Sequence, residues 1–198
     1  RAEFVLEGYL IPGRRDTEGP FGESNGYYFT YQNPVGKIKA ITHRRNPIYH
    51  ALMPCTSEES VLVELSWELD YLKSIQQSFP IVRRMTMRTL GMVVVVEVEK
   101  KADEDVPKLL DHLLRSSPFL KVAIAVDGDV NIHDPLEVEW AVATRTQPSR
   151  DVLLRDGLPG MSLDPSASGG KYDAGHMEFV TTTSKMAIDA TKPVHDPE

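Results

Sequence analysis

The stretch "GMVVVVEVEK", Gly91 to Lys100, settles which kind of protein this chain folds into. Four consecutive valines suit a strand buried on both faces, because a half-exposed strand would alternate apolar with polar residues. Such a strand needs a layer on each side. The residues around it supply candidates. Before it, "IVRRMTMR" (Ile81 to Arg88) reads as a neighbouring strand. After it, "DEDVPKLLDHLLRSS" carries Leu109, Leu110, Leu113 and Leu114 at helical spacing. "FLKVAIAVDGDV" is a further strand, and "DPLEVEWAVATRTQ" a helix opening at Asp134 with Pro135 in its first position. Strands alternating with helices predict an α/β layer structure.

Upstream, "SEESVLVELSWELDYLKSIQQ" has Ser57 as a plausible N-cap and Glu58 and Glu59 in the first turn. Leu62, Leu65, Leu69 and Leu72 recur at helical spacing and are expected in the core, with Pro80 ending the helix. The character before Pro54 is different. "EFVLEGYLI", "GYYFTYQ" and "GKIKAITHR" are strand-like, separated by Pro12-Gly13 and by Asn33-Pro34-Val35-Gly36, and predict a small three-stranded antiparallel sheet. Such a sheet is expected to complete a larger one. "PGMSLDPSASGGKYDAG" reads as a long loop, and "KMAIDATKP" as a short closing apolar segment.

The 198 residues are 41% hydrophobic and 26% charged with a net charge of -7, as in an ordinary globular protein. That charge argues against a nucleic-acid partner, which would require clustered Lys and Arg. No apolar run is long enough for a membrane helix, and no signal-peptide pattern is present. The single cysteine, Cys55, excludes an internal disulfide and a Cys-based zinc site, and reads as a small packing residue compatible with a reducing cytoplasm. The chain opens on Arg1 in strand-like sequence, which predicts a segment of something longer.

Several residues could carry chemistry. In "EGPFGES", Glu18 and Glu23 flank a stiff Gly-Pro-Phe-Gly corner. Paired carboxylates suit acid–base work, including glycoside hydrolysis, although a solvated surface turn has the same pattern. His43 and His50 in "ITHRRNPIYH" lack metal-ligand spacing. Asp127 and Asp129 in "VDGDV" sit at a strand's C-terminal end, where they could meet a ligand or shape a turn. "SGGKY" is not followed by the helix that a phosphate loop requires.

Taken in order, "EGPFGESNGYY", "ITHRRNPIYHALMP", "VAIAVDGDVNIHDPLEVEWAVATRTQPSRDV", "SLDPSA" and "KMAIDATKP" resemble the UbiD-like decarboxylases over nearly the whole chain. The resemblance implies an α/β (α+β) fold: the last strands of a flavin-binding split β-barrel in residues 1–50, then a C-terminal α/β sandwich with a mixed sheet in residues 51–198. A hinge is expected near residues 45–58. It also implies reversible non-oxidative decarboxylation of a small aromatic, heteroaromatic or α,β-unsaturated carboxylic acid on prenylated FMN, in a cytoplasmic homodimer or homohexamer. Glu23 matches the family's acid–base residue and Glu18 its partner in a Glu–Arg–Glu network. Looser matches make Arg115 a cofactor-phosphate contact and place Ser60, Glu64, Phe119 and Leu158 along the substrate pocket. The network's arginine and the Asn, His and Glu that hold a divalent metal (Mn2+ or Mg2+) against the flavin phosphate have no counterpart here, K+ is likewise expected to be bound mainly by the missing N-terminal part, and the segment alone is expected to be inactive. The other reading is a non-catalytic module for oligomerisation.

Overall fold

A computed structural model describes residues 2–23, 26–53, 56–161, 163–167 and 181–194. Cys55, the "SGGKY" run and most of the loop expected after Pro159 lie outside the described residues. The described strands form a two-stranded sheet and a five-stranded sheet.

The five-stranded sheet contains β3 (Val82–Arg88), β4 (Val93–Val98), β5 (Val122–Asp127), β6 (Val152–Gly160) and β7 (Thr181–Ala190), in the order β3-β4-β5-β7-β6. β4, β5 and β7 run parallel at its centre, while β3 and β6 pair antiparallel at the edges. The valine run lies inside as expected. Val94, Val96 and Val98 point toward α1 (Ser57–Ser78) and α2 (Asp105–Ser116), in a cluster with Ile75, Leu109, Leu110, Leu113 and Leu114. Val95 points the other way, into a second cluster with Val138 and Ala141 of α3 (Pro135–Arg145). Strand period two thus feeds both helical layers from one run. The Asp134 carboxylate caps α3 by accepting from the Leu136 N–H at 2.9 Å, with Pro135 in the first turn. A single turn, α4 (Pro148–Asp151), leads into β6.

α1 corrects the expectation for its leucines. Leu62, Leu65 and Leu69 are each 54% exposed, and only Leu72 of the set packs against the core. The inward face carries Glu64, Glu68, Tyr71 and Ile75, which also share helical spacing. Its two carboxylates accept from the backbone N–H groups of Leu90 (2.8 Å) and Met87 (3.2 Å). Both faces carry suitable spacing; the one turned inward brings Ile75 and Tyr71 to the core and its two carboxylates to those backbone donors. Thr56, rather than Ser57, occupies the N-cap position.

The N-terminal part is a long hairpin of β1 (Phe4–Gly22) and β2 (Tyr28–His43), so the expected three strands are two. Pro12-Gly13 does not turn the chain. Residues 11–14 bulge between the Leu10–Gly36 and Arg15–Pro34 pairs, and the ladder continues on both sides. The described residues form no closed barrel. Arg44 pairs with Glu3 at 3.1 Å and the Ile48 N–H donates to the same carboxylate at 3.2 Å, which ties the exit from β2 back to the start of β1. No described helix is long and apolar enough to cross a membrane.

Candidate active site

The corner between Glu18 and Glu23 begins at Gly19, whose φ is +110°. A Cβ there would meet the Phe29 carbonyl oxygen at 2.6 Å, so backbone packed on backbone makes this position glycine-specific. The register shifts between Glu18 and Phe21, where the chain passes through the corner and then pairs Phe21 with Phe29. Glu18 is directly opposite Tyr31. Its carboxylate accepts a hydrogen bond from the Asn33 side-chain amide, on the same face of β2.

Glu23 follows the corner. Its N–H donates to the Tyr27 carbonyl at 2.9 Å, and its own carbonyl accepts from the Gly26 N–H at 3.0 Å. The half-buried carboxyl accepts from the Tyr31 hydroxyl at 3.4 Å. Tyr31 is therefore the cross-strand partner of one acid and the hydrogen-bond donor of the other. Its ring lies parallel to Phe29, with centroids 6.2 Å apart. The two carboxylates named from the sequence are gathered on one face of the hairpin. Tyr31 and Asn33, which donate to them, are absent from the sequence reading. The only available signal was the period-two spacing of Phe29, Tyr31 and Asn33, and aromatic strand residues read first as packing.

The remaining residues named from the sequence lie on the five-stranded domain. Phe119 lines a cavity of about 360 Å³ together with Trp67, Tyr71, Met87, Gly91 and Leu120. The Phe119 and Trp67 rings are 5.0 Å apart. Gly91, at φ +76°, lets the Trp67 ring lie against the β3–β4 turn, since a Cβ would meet that ring at 3.1 Å. Ser60, Glu64 and Leu158 do not line this cavity. Ser60 is half-buried in the first turn of α1. The Glu64 carboxylate is engaged by the turn that holds Thr89 and Leu90 at positive φ. Leu158 pairs with Thr183 and packs against the α2 side of the core.

Arg115 is exposed at the end of α2 and donates to Asp111 at 2.9 Å; Arg155 donates to the same carboxylate at 2.6 Å. The Arg115 and Arg155 guanidiniums hold the Asp111 carboxyl below its ordinary range. Asp127 and Asp129 are bound by Arg145 at 2.8–3.1 Å, and Lys192 also donates to both. Of the two readings of this pair, the turn-shaping one matches the contacts. The Arg145 side chain, followed by Lys192, depresses the Asp129 carboxyl strongly. His43 shares a hydrogen bond with the Arg44 carbonyl at 2.6 Å. Among the described residues no group of three or more His, Cys, Asp or Glu side chains is placed to hold a metal ion.

Comparison with known proteins gives the same family for both parts of the chain. Residues 1–57 match the 3-octaprenyl-4-hydroxybenzoate carboxy-lyase Rift-related domain, and residues 60–190 match the C-terminal domain of that family. The anhydromevalonate phosphate decarboxylase of Methanocaldococcus jannaschii is 34% identical over 194 residues, covering 96% of this chain and 44% of the relative. A phenolic acid decarboxylase of Sedimentibacter hydroxybenzoicus is 33% identical over 210 residues, covering 98% of this chain and 40% of the relative. The UbiD-class enzyme HmfF from Pelotomaculum thermopropionicum, solved in complex with FMN, superposes with a TM-score of 0.87 at 37% identity, over 98% of this chain and 42% of that one. The chain thus spans less than half the length of these relatives. With both domain models matched in order along it, this chain belongs to the UbiD family of carboxy-lyases.

Proposed function

We propose that this chain carries the acid–base pair of a non-oxidative carboxy-lyase that uses prenylated FMN to decarboxylate, reversibly, a small aromatic, heteroaromatic or α,β-unsaturated carboxylic acid. The observation that carries the reading is the convergence of Glu18 and Glu23 on the Tyr31 face of the hairpin. In the decarboxylating direction the carbon–carboxylate bond breaks, CO₂ leaves, and a proton takes its place on that carbon. Glu23 is the donor of this proton through its carboxyl oxygen. Glu18, held by Asn33, is its partner in the acid network. Decarboxylases of anhydromevalonate phosphate and of phenolic acids among the relatives support the reaction class.

The hairpin fits the acid–base half of a flavin site, with exposed Phe21, Tyr27 and Tyr28 beside the acids as apolar surface for a planar group. When bound, the flavin supplies the electron sink for the carbon left by CO₂. The phosphate half does not fit as well. Arg115, the cation expected to reach it, is already engaged by Asp111. No group of three or more His, Cys, Asp or Glu among the described residues is placed to hold Mn2+ or Mg2+, and no step is assigned to a divalent metal or to K+. We further propose a homodimer or homohexamer as the working assembly.

The test is Glu23→Gln in the flavin-loaded protein that carries this chain. Amide for carboxyl keeps the shape and removes the transferable proton. Turnover should fall to background while bound flavin, read from its visible spectrum, stays at the wild-type level. Wild-type turnover in this variant would remove the role given to Glu23.

A further inference from the structure

A Glu side chain has three rotatable bonds, and its terminal torsion is broad, so a catalytic Glu needs something to fix its carboxyl. In this hairpin one strand does so for both acids. Tyr31 and Asn33 are two apart on β2 and share a face. The Tyr31 hydroxyl donates to Glu23, and the Asn33 amide donates to Glu18. The Tyr31 ring is itself set by its parallel contact with Phe29, another two residues back on the same face. The Tyr31–Glu23 contact is half-buried, whereas the Asn33–Glu18 contact is exposed.

The geometry points to Tyr31 and Asn33 as the positioning residues of the acid pair, with Tyr31 setting the direction in which the Glu23 carboxyl delivers its proton. This rests on the reading of Glu23 as the proton donor. Tyr31 touches neither substrate nor cofactor in this scheme and acts through Glu23. A phenol suits the task because it donates one hydrogen bond from the end of a rigid ring. The contact, at 3.4 Å, biases the direction of the Glu23 carboxyl, and orientation is a large part of what an enzyme contributes to a rate.

The experiment uses Tyr31→Phe and Asn33→Asp beside Glu23→Gln, all in the flavin-loaded protein. Tyr31→Phe keeps the ring and its contact with Phe29, so the hairpin retains its packing. Its kcat should fall by about tenfold to 100-fold, the range that loss of orientation produces, while KM and flavin content stay unchanged. A crystal structure of the variant should show the Glu23 carboxyl turned from its wild-type direction. Asn33→Asp keeps the size but removes the N–H donors, and should lower kcat in the same way. Wild-type kcat in Tyr31→Phe, or an unmoved Glu23 carboxyl in its crystal structure, overturns the inference. So does a loss of kcat matched by a loss of bound flavin, since that is the result of a damaged fold. An inactive Glu23→Gln with a normal Tyr31→Phe sinks the positioning role alone. An active Glu23→Gln sinks the parent reading and this one with it.

Discussion

Lys185, on β7, is 2% exposed, and its ammonium donates to the carbonyls of Leu114 (3.1 Å) and Ser117 (2.6 Å) at the C-terminal end of α2. Burial pushes it from its ordinary 10.5 down to about 8. The unfolded chain therefore holds this proton more tightly than the folded one between those values, and stability rises with pH across the window. The fall from 10.5 to about 8 corresponds to about 3 kcal/mol, absent at pH 7 and complete near 10.5. Replacing the residue by methionine removes that charge penalty but leaves two helix-end carbonyls without their donor, at about 1–3 kcal/mol. The two effects are of similar size and opposite sign. Lys185→Met should thus be nearly neutral at pH 7, and clearly less stable than wild type at pH 10. Urea unfolding of both proteins at steps from pH 7 to 10.5 measures the difference. Parallel stability curves would refute the reasoning, because they would mean that the Lys185 proton is bound equally in both states.

Tyr71 gives the opposite slope: burial pushes its phenol up to about 12, so folding stability should fall as pH rises from 10 through 12, and Tyr71→Phe should flatten that fall in the same titration. Gly19→Ala, with its Cβ forced to 2.6 Å from the Phe29 carbonyl oxygen at φ +110°, should cost about 1–3 kcal/mol locally. Turnover should collapse while the circular dichroism of the α/β domain is kept. Glu64→Ala should destabilise by about 1–3 kcal/mol by orphaning the Leu90 N–H, whereas Glu64→Gln keeps an acceptor and should stay close to wild type in thermal unfolding. A change in KM with no change in melting temperature would instead assign Glu64 to the substrate pocket.

How much of this was legible before the structure depended on how locally each feature is encoded. The valine run and the Asp134-Pro135 cap are local, and both hold. β6 passed unnoticed because "VLLRDGLPG" mixes charge, Gly157 and Pro159. Those residues are tolerated because, among the described strands, β6 is an edge strand whose one neighbour is β7. The exposed leucines of α1 mark the limit of periodicity. Spacing shows that a helix has faces, but not which face meets the backbone donors of the β3–β4 turn. At the site, the acids were named from the motif around them. Their donors were not, because cross-strand register decides that Tyr31 reaches Glu23, and register is absent from a strand read by itself.

The acid–base role proposed for Glu23 has two requirements, orientation and desolvation, that the hairpin separates. The contacts for orientation are present, since Gly19 packs backbone on backbone at the corner and Tyr31 and Asn33 donate to the acids. Desolvation is not built in to the same degree, because Glu18 is exposed and Phe21, Tyr27 and Tyr28 around the corner present apolar surface to solvent. A carboxyl that is to give up its proton to carbon must be shielded from water at that moment. That shielding has to come from what covers this face in the working enzyme, substrate included. Loss of orientation at Tyr31 should therefore depress kcat for every substrate alike. Loss of cover, as in Tyr28→Ala, should hurt small substrates more than large ones that shield the corner themselves. The two kinds of variant, compared over a series of acids of increasing size, distinguish the requirements by whether the defect shrinks as the substrate grows.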